Sequence, residues 1–273
     1  IQKILKTASM EDCRPVATPA APTAQSSDPE GEPMSEDWNY RSIVGMLLYL
    51  AGNTRPDISM AVSQVCRFSN APKQSHAKAV KHILRYLKGT ADKGMIVRPN
   101  RTLGLDNYCD ADFAGLFGSE PQDNPDSAPS RIGYIIFLGD CPLIWKSQLC
   151  SEITTSTLHS EYIALSASLR VQLVLKRMLE EVVVGLSLEL GISGTVVCRA
   201  FEDNRGAMLL ANNHRLSNRT RHFNVKYHWF WENVKNEDLN VDSCSTKQQR
   251  ADGFTKCLIR ALLEANRMMN QGW

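Results

Sequence analysis

A chain of 273 residues, 43% hydrophobic and 22% charged, has the composition of a soluble globular protein with room for one large domain or two smaller ones. It lacks any apolar run of about 18 residues, which excludes a transmembrane helix of the usual kind, and its eight cysteines stand singly with no C-x-x-C pair, which argues against a zinc knuckle or a thioredoxin-like site. The net charge of +2 hides a division by region: residues 1–40 carry three basic and seven acidic residues, 67–101 nine basic and one acidic, and 103–130 six acidic and no basic. A basic stretch followed by a tight acidic one suits a protein that holds a polyanion and acts on it with metal ions.

In chain order, the start Ile1-Gln2-Lys3-Ile4 has neither an initiator Met nor a signal-like region, and is read as internal to a longer polypeptide. Nothing in the sequence asks for an oxidising compartment, so a cytoplasmic or nuclear location is expected. Residues 12–37 hold five of the twelve prolines with few large apolar residues, so 1–39 is predicted to be a linker or extended segment. Three helices follow. Ile43 to Leu50 is densely apolar, and Asp57 is placed to cap a helix bearing Ile58, Ala61, Val62 and Val65 at helical spacing. Lys73 to Lys88 repeats the spacing with Val80, Ile83, Leu84 and Leu87, and Gly89 ends it. On this last helix Lys78, Lys81, Arg85 and Lys88 form a second stripe, available either to solvent or to phosphates. His76 and His82 are expected in solvent.

Beyond residue 100 strands and helices alternate. Leu103–Phe113, Ile132–Leu138 and Leu143–Lys146 are predicted strands, followed by a long helix from Thr157 to Val182. Then come a strand over Thr195–Phe201, a short helix over Arg205–Ala211, a helix around Val225–Val234, a strand over Leu239–Cys244, and a helix from Gln249. Three strands, helix, strand, helix, strand, helix is a mixed α/β order.

Four acids fall at element ends or first turns: Asp110 on the first strand, Glu161 early in the long helix, Asp203 after the fourth strand, and Asp252 at the opening of the last helix. Phosphodiester hydrolysis by two Mg²⁺ ions needs such a set, because hard cations take oxygen ligands from separate elements. Crowded carboxylates also repel one another and are costly without a cation. Asp110 and Asp112 with Gly115 imitate a calcium loop, but Ala114 and Pro121 fall where that loop needs ligands. His214 and His222 lack a cysteine pair to complete a zinc site.

The order Asp, Glu, Asp, Asp on strand, helix, strand and helix resembles the ribonuclease H fold, and the words around it resemble the copia-type retrotransposon version. These words are Tyr40-Arg-Ser-Ile-Val-Gly-Met-Leu-Leu-Tyr-Leu50, Thr54-Arg-Pro-Asp57, Leu84-Arg-Tyr-Leu-Lys-Gly-Thr90, Ser156-Thr-Leu-His-Ser-Glu-Tyr-Ile-Ala-Leu165, Arg219-Thr-Arg-His-Phe-Asn224 and Tyr227-His228. The resemblance implies a linker over 1–39, a helical connection from the reverse transcriptase region over 40–100, and a ribonuclease H-like domain over 101–273 with a five-stranded mixed sheet flanked by helices. It implies endonucleolytic cleavage of the RNA strand of RNA–DNA hybrids with two Mg²⁺ ions, Mn²⁺ substituting, as part of a Pol polyprotein and away from membranes. Asp110 would bridge both ions, Asp252 would help hold the one that activates water, and Glu161 and Asp203 the one facing the leaving group. Lys78, Lys81, Arg85 and Lys88, with Arg219, Arg221 and His222, would contact nucleic acid.

An integrase core shares this fold but places its glutamate last, and polymerase chemistry needs adjacent aspartates that this chain lacks. The rival reading is a nucleic-acid-binding remnant that does not cleave. His159, Trp231 and Cys257 depart from the family pattern, where glutamate, arginine and proline are usual.

Overall fold

The computed structural model describes residues 1–20, 27–98, 100, 103–117, 127–190, 196–214, 220, 223 and 225–273. Among them, a helical unit precedes a five-stranded sheet. The helical unit comprises α1 (Gln2–Thr7), α2 (Tyr40–Asn53), a 3₁₀ turn (Pro56–Ile58), α3 (Ser59–Cys66) and α4 (Gln74–Gly89). Its core follows the spacing read from sequence: Ile43, Val44 and Leu47 of α2 meet Ala61, Val62 and Val65 of α3 and Val80, Ile83, Leu84 and Leu87 of α4, all buried. The side chain of Asn39 caps α2 by accepting from the Ser42 backbone N–H.

The sheet comprises β1 (Gly104–Asp112), β2 (Arg131–Leu138), β3 (Cys141–Leu149), β4 (Val197–Glu202) and β5 (Asn240–Ser243), in the order β3-β2-β1-β4-β5. β1, β2 and β3 are antiparallel neighbours, while β4 runs parallel to β1 and β5 parallel to β4. β1 is therefore central. α5 (Thr157–Leu190) covers one face, burying Tyr162, Leu165 and Leu169 against Leu105, Cys109 and Ala111 of β1 and Cys198 and Ala200 of β4. α6 (Arg205–Asn213) and α7 (Trp231–Lys235) complete that side. The other face carries a smaller cluster, Ile135 and Phe137 against Ala251 and Phe254; Phe254 belongs to α8 (Asp252–Thr255), and α9 (Arg260–Gln271) ends the chain. This is a ribonuclease H-like α/β fold, a five-stranded mixed sheet with flanking helices behind a small helical unit.

Several expectations need correction. The segment over 1–39 is not simply a linker: α1 inserts Ile4 and Leu5 into the helical core, and the chain after it lies along α4. There the Thr18 and Arg14 carbonyls accept from His82 Nε2 (2.9 Å) and Arg85 Nε (2.8 Å), and Pro33 bridges Lys73. His82 is thus half-buried, and His76 is buried, stacked on Phe68 at 3.8 Å, rather than solvated. Asp57 caps no helix among the described residues: its side chain is buried, held by Arg55, Tyr86 and Gln271. The expected helix from Gln249 is two helices, α8 and α9, and the helix around 225–234 is a 3₁₀ turn, Val225–Tyr227, followed by α7. The long helix runs eight residues past Val182 to Leu190. Nor is the helical unit separate. Leu263 of α9 joins its core, Trp145 Nε1 of β3 donates to the Ala51 carbonyl at 2.7 Å, and Arg131 of β2 donates to Ser63 and Gln64 of α3.

Candidate metal centre

β1 and β4 run parallel with Tyr108 paired to Phe201; carried two residues on, that register sets Asp110 beside Asp203. α5 is fixed against β1 by side-chain bonds: Asn107 Nδ2 donates to Ser168 Oγ at 2.8 Å, and Gln172 Nε2 donates to the Leu105 carbonyl at 2.7 Å and the Arg199 carbonyl at 2.9 Å. Seven residues of helix and three of strand both span about 10 Å. With Asn107 held at Ser168 and the helix running back along the strand, Glu161 comes to lie by Asp110. Ligand oxygens of Asp110, Glu161 and Asp203 lie within 4.8 Å of one another, Asp110 and Glu161 buried and Asp203 half-buried.

Asp252, the fourth expected acid, approaches from the other face and is not one of the three whose oxygens lie within 4.8 Å of one another. Gly133 is the ladder partner of Asp110, and a Cβ there would stand 2.5 Å from the Phe254 Cβ and 2.9 Å from Thr255 Cγ2. The missing side chain lets α8 lie directly on β2. Thr255 Oγ1 then donates to Asp110 Oδ2, and Lys256 Nζ stands 2.6 Å from Asp252 Oδ1 and 3.6 Å from Asp110 Oδ2. Asp252 is therefore joined to the three-acid cluster through an ammonium group.

The electrostatics follow from burial. Asp110 is pushed up to about 6, first by desolvation and then by Asp252 and Asp203, against the pull of Lys256 and Thr255. Glu161 is held well above the carboxylate range by desolvation and by Glu202, Asp110 and Asp203, and Asp252 is raised by desolvation and Asp203, partly offset by Lys256. Glu161 Oε2 is buried with no hydrogen-bond partner among the described residues. An all-oxygen donor set, crowded, desolvated and with an orphaned carboxylate oxygen, fits a hard divalent cation.

Glu202 completes the acidic region and was not among the expected residues. It is fully buried, accepts from the Asn204 backbone N–H at 3.0 Å, and is held far above its ordinary range by desolvation. Strand parity was the available signal: Cys198, Ala200 and Glu202 share the inward face of β4. Asp112 is half-buried with a raised pKa caused by desolvation, against Lys256 and Arg131.

The three departures from the family pattern take up packing positions. His159 stacks on Phe223 at 4.2 Å, Trp231 lies tilted against His228 at 4.3 Å, and Cys257 packs against the helical core. Of the basic residues, Lys78 and Lys88 are exposed, Lys81 pairs with Glu36 at 2.6 Å, and Arg85 is engaged by the Arg14 carbonyl. Arg219, Arg221 and His222 lie outside the described residues. No helix among the described residues is long and apolar enough to cross a membrane.

Compared with known proteins, the chain is 35% identical over 265 residues to the retrovirus-related Pol polyprotein from transposon RE1 of Arabidopsis thaliana, an alignment covering 97% of this chain and 17% of that protein. It is 34% identical over 270 residues to the retrovirus-related Pol polyprotein from transposon TNT 1-94 of Nicotiana tabacum, covering 97% of this chain and 19% of that one. The chain thus spans less than a fifth of the length of these relatives. Among solved structures, RNase H1 from the halophilic archaeon Halobacterium salinarum NRC-1 is 15% identical with a TM-score of 0.33, over 55% of this chain and 93% of that one. No family model matches the chain.

Proposed function

The chain belongs to the retrovirus-related Pol polyproteins of transposons, and we propose that it is a copia-type ribonuclease H region that hydrolyses the RNA strand of RNA–DNA hybrids endonucleolytically. The observation that carries this reading is the meeting of Asp110, Glu161 and Asp203 within 4.8 Å at the ends of two parallel strands. With Asp252 these residues would hold two Mg²⁺ ions, or Mn²⁺ in their place. Bound there, the ions would activate the attacking water and stabilise the leaving oxygen.

The protein's own part is to keep those carboxylates together and dry. Asp110 and Asp203 are set by the β1–β4 register, Glu161 by the Asn107–Ser168 and Gln172 bonds, and Asp252 by α8 resting on Gly133. Thr255 orients Asp110 through its hydroxyl. In this reading residues 40–100 are the connection from an upstream polymerase region and 101–273 the nuclease unit. The hybrid's phosphates meet the exposed Lys78 and Lys88, with Arg219, Arg221 and His222 adding contacts. The remainder of the Pol polyprotein is the other partner, no membrane is involved, and the reaction takes place in the cytoplasm or nucleus.

The test is a hybrid with each strand labelled in turn. Cleavage of the RNA strand alone, requiring Mg²⁺ and stopped by EDTA, is the expected result, since the 2′-hydroxyl separates RNA from DNA. Metal-independent cleavage, or a cut DNA strand, would refute the assignment.

A further inference from the structure

We infer that Lys256 is the resident counter-cation of the metal-free site, holding Asp252 and Asp110 together until a divalent ion displaces it. The inference rests on the reading above that the cluster takes divalent cations.

The geometry sets Lys256 apart from an ordinary surface lysine. Its ammonium lies 2.6 Å from Asp252 Oδ1 and 3.6 Å from Asp110 Oδ2, so one positive charge spans two elements, the short helix α8 and the central strand. The Asp110 side chain is 4% exposed and that of Asp252 19%, whereas that of Lys256 is 43% exposed. The carboxylates are thus held by the fold, while the amine has an open route to solvent along its flexible stem. Lys256 follows directly on Thr255, whose hydroxyl already fixes Asp110, so the five residues 252–256 carry one acid, the hydroxyl that orients another, and the positive charge the two share.

A group that neutralises a cluster in the absence of metal competes with metal for the same oxygens. Divalent affinity is then lower than the carboxylates alone would give, by the strength of the ammonium's hold on Asp110 and Asp252. Removing the amine should tighten metal binding and, because the acids then repel without compensation, weaken the metal-free fold. A lysine with a merely structural role predicts a different pattern: loss of its packing would loosen the site and weaken metal binding along with stability.

The experiment uses the full 273-residue chain and titrates Mn²⁺ alone by calorimetry, with thermal unfolding in EDTA as a second readout. Lys256→Met keeps the stem and deletes the charge. It should bind Mn²⁺ about tenfold more tightly, since a nearby unit charge in a partly desolvated site is worth at least that much, and should melt several degrees lower without metal. Lys256→Arg keeps the charge and should bind Mn²⁺ within about twofold of the unmodified chain. Unchanged or weaker binding by Lys256→Met overturns the inference. So does a tenfold change in Lys256→Arg, which also decides the matter if Lys256→Met does not fold. Failure of the unmodified chain to bind Mn²⁺ at all overturns the reading of the cluster as a cation site, and the inference falls with it. Measurable binding with no gain in Lys256→Met leaves that reading standing and removes only the role of Lys256.

Discussion

Asp57 and Asp110 are both buried aspartates, with side chains 0% and 4% exposed, yet they are surrounded in opposite ways. Asp57 is fully answered. Arg55 donates to both of its oxygens, at 2.9 and 2.7 Å, Tyr86 donates its hydroxyl at 2.6 Å, and Gln271 of α9 its amide at 3.1 Å. Arg55 in turn donates from Nη1 and Nη2 to the Thr90 carbonyl and hydroxyl, and its guanidinium lies over Tyr86 and Trp273. Asp110 faces Glu161, Asp203 and Asp252, and its only partners among the described residues are one hydroxyl and a shared, half-exposed lysine. The first arrangement satisfies a charge in order to fasten the last helix to the helical unit. The second gathers like charges that the fold alone does not neutralise. Desolvated acids kept unsatisfied at a strand end are where a ligand's charge is wanted.

The contrast can be broken from the satisfied side first, where the largest effect on stability is expected. Arg55→Met strands Asp57 without its cation and should cost about 3–5 kcal/mol in urea unfolding, the range for losing one partner of a buried ion pair. A loss under about 1 kcal/mol would make the clasp incidental.

On the unsatisfied side the effect depends on pH. Asp110 is raised from 3.8 to about 6, so the folded chain holds this proton more tightly than the unfolded chain does. Metal-free stability should therefore be greatest below about pH 4 as far as this group is concerned. It should fall as pH rises toward 6, by up to about 3 kcal/mol from Asp110 alone. The measurement is the difference in unfolding free energy between the unmodified chain and Asp110→Asn across pH 4–7 in EDTA. Mg²⁺ should remove most of that slope, and a difference that does not vary with pH would contradict the burial argument.

A smaller effect is expected where α8 rests on the sheet. Gly133→Ala places a methyl 2.5 Å from the Phe254 Cβ, which should cost about 1–3 kcal/mol by overpacking. It should also lower Mg²⁺ affinity, because α8 carries Asp252. If affinity is unchanged, Asp252 is not held in place by that contact.

Much of this was legible in the sequence where the signal is local. The helical spacing of Ile58, Ala61, Val62 and Val65 and of Val80, Ile83, Leu84 and Leu87 marks two helices and their buried faces. Asp110, Glu161 and Asp203, which the structure brings together, stand out in the sequence because each sits at an element boundary in a recognisable order. What was missed depends on distance along the chain. Asp57 looks like a cap until Tyr86 and Gln271, 29 and 214 residues on, are brought to it. The proline-rich segment looks free until α4 offers side chains to its carbonyls. Glu202 and Lys256 were missed for a different reason. Each had a local signal, inward parity on β4 and i,i+4 spacing from Asp252, that went unused beside a stronger neighbour.

The most direct test of the central claim, that the buried charge at the sheet's end is kept for cations, is Asp110→Asn assayed on a labelled RNA–DNA hybrid with Mg²⁺. The substitution keeps the shape of the side chain and removes its charge. Cleavage should fall by at least about a hundredfold, the upper range for losing mere outer support of a metal ligand. Hybrid affinity should stay nearly unchanged, and melting in EDTA at pH 7 should not fall. Cleavage that survives in Asp110→Asn, or an unmodified chain that binds the hybrid and never cuts it, would contradict the account.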